Sequence, residues 1–158
     1  MNISLRPFPP DNQDFLFKLY ASTRQDEISV LGWNPAQQDA FLRMQFNAQR
    51  RWYETAYGQA EHQLILVDEQ PAGRILTARE GDACRLVDIA LLTEYRNRGI
   101  GTQLLRDLIA KSERDKLSVV LQVFKSNPAL HLYQRLGFVT TGEDSMYYQM
   151  ERKTAASS

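Results

Sequence analysis

The chain is poor in the residues that cross-link or metallate small proteins. Of its 158 residues one is cysteine, Cys84, and two are histidine, His62 and His131. A single thiol excludes an internal disulfide framework and suits a reducing compartment. Cys84 stands at the head of an apolar run, which predicts a packed structural thiol rather than a nucleophile. The histidines have no ligand-like spacing to each other or to the cysteine, so no metal is expected. His131 is expected to be exposed, and His62 to open a strand near the surface. Neither sign of charge is in excess. Nineteen Lys and Arg balance nineteen Asp and Glu, so no overall field draws the chain to nucleic acid or an anionic membrane. Long hydrophobic runs are missing too: none approaches membrane-spanning length, and the opening MNISLRPFPP lacks the apolar core of a signal peptide. These absences predict a cytoplasmic protein that binds neither membrane nor nucleic acid.

What is present is enough apolar material for one core. The hydrophobic fraction is 43%, and a chain of this length fits a single domain better than two. Residues 2–6 alternate as a strand that Pro7, Pro9 and Pro10 end. Asp11 is placed to cap a helix to about Arg24, with Phe15, Leu16, Leu19 and Tyr20 inward. Asn34-Pro35 signals a second start, a capping side chain followed by proline at the first helical position. That helix should reach about Tyr57. One apolar line on it runs through Phe41, Met44, Ala48 and Trp52, with Leu42, Phe46, Tyr53 and Tyr57 beside it. QRRWYETAY has the composition of a stacking and phosphate-binding segment, but its helical spacing and the neutral chain favour a packed face with solvated arginines.

Gln63–Val67 and Gly73–Ala78 read as a hairpin turning at 68–72. The apolar run Leu86–Leu92 is a buried strand, as is Ser118–Phe124. Asn127-Pro128 opens a short helix, with Gly137 where a left-handed C-terminal cap belongs. Two strands around Gly142–Ser145 close a domain of residues 1–150. Residues 151–158 read as a flexible tail. The order is β α α β β β α β α β β, an α/β fold.

The segment EYRNRGIGTQLLRDLIAK joins the 86–92 strand to a helix striped by Ile100, Leu104, Leu105, Leu108 and Ile109. A helix N-terminus presents unpaired N–H groups and about half a positive charge. Gly99 and Gly101 would let a bulky anion reach that backbone, and Arg96 and Arg98 add charge at the rim. A phosphate group suits such a turn, and a tight strand-to-helix turn alone would also explain the glycines. Two nucleotide motifs fail. Thr102-Gln103 stands where a P-loop needs lysine then Ser or Thr, and Leu104 stands where the dinucleotide fingerprint needs its third small residue.

The pattern (Arg/Gln)-x-x-Gly-x-(Gly/Ala) is met by Arg96-Asn97-Arg98-Gly99-Ile100-Gly101, and NPALHLYQRLGF follows one strand later. Together these resemble the GNAT superfamily of acyl-CoA-dependent N-acyltransferases. The resemblance extends from about Leu64 to Met150. It implies a mixed sheet of about seven strands with splayed central strands, four helices, and acetyl-CoA as co-substrate. By the same resemblance, backbone groups of Ala90, Leu91 and Leu92 pair with the pantetheine arm. Backbone N–H groups of Arg96, Asn97, Arg98, Gly99, Ile100, Gly101 and Thr102 cradle the pyrophosphate. Asn127 helps hold coenzyme A and equally has the form of a helix cap. Tyr133 stands near the sulfur as proton donor, its phenol expected near the ordinary ~10.

The implied reaction is direct attack of a primary amine, from a small molecule or a peptide, on the thioester. Relatives that acetylate protein N-termini carry a glutamate where this chain has Gln122. A glutamine cannot take up the proton, which makes Asp88 in its apolar strand the nearest candidate base; a structural hydrogen-bonding role suits it equally. The alternative function is an acyl-CoA-binding sensor or scaffold with little turnover. A monomer or homodimer is expected.

Overall fold

The computed structural model describes residues 1–155. Along them run β1 (Ile3–Pro7), α1 (Gln13–Ser29), α2 (Pro35–Ala56), β2 (Glu61–Val67), β3 (Gln70–Glu80) and β4 (Ala83–Leu91). After a 3-10 turn at Thr93–Tyr95 come α3 (Ile100–Arg114), β5 (Ser118–Phe124), α4 (Ala129–Arg135), β6 (Val139–Glu143) and β7 (Tyr147–Arg152). The strands form a mixed sheet in the order β1-β2-β3-β4-β5-β7-β6. β4 and β5 are parallel, whereas β1/β2, β5/β7 and β6/β7 are antiparallel. By proximity the residues group as Met1–Ile75 with Ala90–Arg96, and as Leu76–Ile89 with the chain from Asn97 on. No helix among the described residues is long and apolar enough to cross a membrane.

In the first group, α2 begins as its sequence predicts. The Asn34 side chain accepts from the Gln37 N–H at 2.8 Å, and the Gln37 side chain accepts from the Asn34 N–H at 3.1 Å. This reciprocal box satisfies two donors at a helix end that Pro35 also favours. The start of α1 differs from expectation. Asn12, not Asp11, occupies the cap position, without a side-chain bond, and the helix continues past Arg24 to Ser29. The extension buries Ile28, which is 2% exposed.

The line through Met44 and Trp52 faces outward, the two being 58% and 56% exposed, while Leu42 and Phe46 are buried. Phe46 packs against Phe17 and Tyr20 of α1, at ring separations of 5.6 and 5.8 Å. Both lines have helical spacing, and contact with α1 decides between them. The hairpin is tighter than expected. Its turn is Asp68-Glu69, both at positive φ, the two-residue form whose twist matches paired strands, so Gln70–Ala72 already belong to β3.

In the second group, Ile100, Leu104 and Leu105 of α3 are buried, as are Val119, Leu121 and Val123 of β5. Residues 151–155 of the expected tail are held rather than loose. Glu151 and Arg152 complete β7, and the Thr154 N–H donates to Ser118 Oγ at 3.2 Å. Residues 156–158 of the expected tail lie outside the described residues.

His131 is exposed, and His62 lies at the start of β2 as expected, half-buried rather than open to water. Its ring stacks on Phe8 at 4.3 Å and 9°, and Nε2 is buried with no hydrogen-bond partner. Burial, then the charge of Arg74, lowers its pKa from 6.5 to about 4. A proton placed on that nitrogen would have no acceptor. Unfolded His62 protonates as pH falls past 6.5 while the folded residue resists to about 4, so acid favours the unfolded chain. This contribution to stability should be intact above pH 6.5 and lost towards pH 4. Thermal unfolding over that range should show a smaller drop for His62→Phe than for wild type. A His62 ring that titrates near 6.5 by NMR would contradict the assignment.

Candidate active site

The registered β4–β5 pairing is short. It runs from Ala83↔Ser118 to Leu86↔Leu121, although the strands continue to Leu91 and Phe124. β5 stays in the sheet through β7, with which it pairs as far as Phe124↔Tyr147. Cys84 lies within the short ladder opposite Val119 and is partly buried.

At the end of β4, Ala90 turns its carbonyl to Gly73 of β3, where an added Cβ would collide with it. The Leu92 N–H donates to the Ala72 carbonyl at 2.8 Å. Leu92 thus spends its N–H on β3 and the Ala90 carbonyl lies against it, and strand alternation gives the backbone groups of Leu91 the opposite edge. Arg96 meets that edge. Its Nε donates to the Leu91 carbonyl at 2.9 Å, and its Nη2 to Ser22 Oγ of α1 at 3.3 Å.

The Arg96 backbone N–H is also spent, on Thr93 O at 3.2 Å. The Arg96 N–H therefore differs from the free donor expected of it. The residue's amide is not held in reserve for the turn, and two of its guanidinium nitrogens tie the strand end to α1. Ser22 is the partner that sequence reasoning missed. It stands seventy-four positions away, and no local pattern marks it.

The next residues are built differently. Asn97 and Gly99 take positive φ, 61° and 80°, the left-handed region open to glycine and tolerated by asparagine. Gly99 is the N-cap of α3, with no side-chain cap. The first intrahelical bond runs from the Gln103 N–H to Gly99 O at 3.0 Å. The N–H groups of Ile100, Gly101 and Thr102 precede it and so lack an intrahelical acceptor. A Cβ built on Gly101 would meet nothing within 4 Å. The turn thus offers bare donors, a helix dipole and open space, which together fit an anion.

Tyr133 of α4 is 7% exposed, and its ring packs edge-on to Phe138 at 5.7 Å. Burial first, then the negative charge of Asp88, pushes its phenol up to about 12. This corrects the ordinary value expected from sequence, and the group is fully protonated at neutral pH. Alternation from the Leu86↔Leu121 pair puts Asp88 on the face of Leu86 and Gln122 on the opposite one. There Gln122 Oε1 accepts from Gln149 Nε2 at 2.7 Å. Asn127 precedes the cap position Pro128, and its Oδ1 accepts from the Ala129 N–H, the first of α4, at 2.9 Å. Among the described residues no group of three or more His, Cys, Asp and Glu is placed to hold a metal ion.

The family model described as Acetyltransferase (GNAT) family matches residues 17–138. The chain belongs to the GNAT acetyltransferase family. Solved structures agree on the fold. The PaiA N-acetyltransferase of Thermoplasma acidophilum, in complex with coenzyme A, superposes with a TM-score of 0.73 at 18% identity, covering 97% of this chain and 99% of its own. A histone acetyltransferase HPA2 and related acetyltransferase from Corynebacterium glutamicum gives 0.68 at 21%, covering 98% of each chain. The ribosomal-protein-S18-alanine N-acetyltransferase of Escherichia coli gives 0.63 at 18%, covering 98% and 96%. In this GNAT chain the glycine motif spans two tasks: Arg96 braces the strand end, and the residues after it shape the turn.

The brace can be tested by itself. Arg96→Met keeps most of the stem but removes both side-chain bonds. It should lower unfolding free energy by about 1.5–3 kcal/mol, the range for bonds from a charged donor. Urea denaturation checks this, and a variant as stable as wild type would show that the bonds carry no load.

Proposed function

We propose that this GNAT protein transfers the acetyl group of acetyl-CoA to a primary amine by direct attack. The observation that carries the reading is the α3 N-terminus, where three N–H groups lack intrahelical acceptors, no side chain caps the helix and a Cβ on Gly101 would meet nothing within 4 Å. A pyrophosphate is the anion best matched to that many donors at one helix end. Asn97, Arg98, Gly99, Ile100, Gly101 and Thr102 form its cradle in this reading, with Arg96 outside. The Leu91 N–H pairs with the pantetheine arm on the edge of β4 that Ala90 and Leu92 do not use, while the Leu91 carbonyl stays with Arg96. The Asn127 carboxamide nitrogen, left over by the bond to Ala129, donates to the same ligand.

Coenzyme A supplies the acetyl group as a thioester, already activated for attack. The chain's residues then manage protons. Asp88 takes one from the amine, and Tyr133 gives one to the departing sulfur. Because Asp88 lies close enough to perturb the Tyr133 phenol, return of the proton from Asp88 to Tyr133 restores both groups after each turnover. No covalent enzyme intermediate is involved. A backbone N–H at the end of β4 stabilises the oxyanion that develops on the thioester carbonyl.

One observation favours a second reading. Gln122 stands where N-terminal acetylating relatives carry a carboxylate, and its side chain is bonded to Gln149. That arrangement suits an acyl-CoA-binding module with little turnover. Thiol release from acetyl-CoA across amines, amino acids, polyamines and peptides separates the two. An active acceptor supports the transferase; tight acetyl-CoA binding with no thiol release across the panel supports the module.

With an acceptor in hand, Tyr133→Phe should lower kcat by roughly two to four powers of ten, the usual effect of losing a general acid. Coenzyme A affinity, resting mainly on backbone donors, should change little in calorimetry. Full activity in Tyr133→Phe would reduce Tyr133 to a packing residue.

A further inference from the structure

The helix that carries Tyr133 has only seven residues, too few to hold its own geometry in isolation. Its direction must come from its ends and its packing. The C-terminal end closes through Gly137, at φ +96°. The Phe138 N–H returns to the carbonyl of Tyr133 at 3.0 Å, and the Gly137 N–H to Gln134 O at 3.1 Å. This leaves the carbonyl of Leu136, the cap residue, pointing out of the helix.

Arg152 of β7 fills that position. Its Nε donates to Leu136 O at 2.9 Å. Its stem lies over Gly137, where an added Cβ would come within 3.3 Å of Nε and 3.8 Å of Cγ and Cδ. The far end of the guanidinium is gripped by Glu113 of α3, Nη1 to Oε1 at 3.3 Å. The same carboxylate collects the end of the described chain. The Ala155 N–H donates to its two oxygens at 3.1 and 3.2 Å, and Thr154 Oγ1 donates at 3.3 Å. Thr154 is 5% exposed, so the clasp is partly shielded from water and from salt. A continuous chain of bonds therefore runs from residues 154–155 through Glu113 and Arg152 to the turn beneath Tyr133.

We propose that Arg152, held by Glu113, is a positioning residue for Tyr133: it fixes the C-terminal end of α4 and so the direction of the phenol. The proposal rests on the reading of Tyr133 as proton donor. It also links residues 154–155 to the catalytic step, although neither approaches the reacting atoms in this reading.

Arg152→Met, which keeps the stem over Gly137 and loses both bonds, is the first variant to measure. Kinetics would use acetyl-CoA with the best acceptor from the amine panel. A small displacement of a catalytic group costs on the order of tenfold to a hundredfold, and the loss should fall on kcat, with KM for acetyl-CoA unchanged. In a Tyr133→Phe background the same substitution should cost nothing further. Arg152→Lys, able to replace one bond but not both, should recover part of the loss. An independent readout is the phenol itself, followed by NMR of tyrosine labelled at Cζ. In Arg152→Met its pKa should move from about 12 towards the ordinary range as the ring gains access to water.

Wild-type kcat in a folded Arg152→Met protein would overturn the proposal. So would an equal loss in the Tyr133→Phe background, because Arg152 would then act by another route. Should Arg152→Met not fold, Glu113→Gln keeps an acceptor for Ala155 but removes the charge that grips Arg152. It is then judged by the same two comparisons. If Tyr133→Phe proves fully active, the proton-donor reading falls, and the phenol titration alone decides whether Arg152 positions the ring.

Discussion

Much of this molecule follows from a ladder that stops early. β4 and β5 pair in register over four residues each and then continue without further registered pairs, while β5 stays tied to β7 on its other side. Backbone N–H and C=O groups in such a segment have to be bonded by something. Residues 90 and 92 turn to β3, and the Leu91 carbonyl takes the guanidinium of Arg96. The arginine of the glycine motif is thus a consequence of the open strand edge. It fills a position that a neighbouring strand would otherwise occupy.

The residues after Arg96 meet the opposite requirement. The Leu91 carbonyl and the N–H groups of Leu92, Tyr95 and Arg96 are bonded within the chain, whereas those of Ile100, Gly101 and Thr102 have no intrahelical acceptor. Two left-handed residues, Asn97 and Gly99, turn the chain into α3 with no side chain capping it. An uncapped helix start exposes several unsatisfied donors, and here the space beside them is open at Gly101. A bound anion would satisfy those donors.

Element order, the capped start of α2, the extent of β5 and the Gly137 cap were legible in the sequence, because each rests on local chemistry. A proline after asparagine, an apolar run between polar flanks and a glycine after a short helix need no distant partner to be read. The misreadings share the converse cause. Two helical lines on α2 were equally apolar, and only the contact of Phe46 with α1 decides which is buried. The Arg96 sequence context shows no partner for its side chain, because Ser22, which meets its Nη2, lies far along the chain. Residues 154 and 155 read as tail because Ser118 and Glu113, which hold them, lie in other elements. Family resemblance supplied the site residues, yet it gave no sign that Arg96 would brace the strand end or that burial would raise the Tyr133 phenol.

The central claim is that the bare donors of the α3 turn receive the pyrophosphate of coenzyme A. The most direct measurement is an amide 1H–15N NMR titration of the labelled protein with coenzyme A. The account predicts large downfield shifts, saturating together, for the N–H groups of Ile100, Gly101 and Thr102, while the Arg96 amide, already bonded to Thr93, moves little. Saturable binding that leaves those three resonances in place would contradict it.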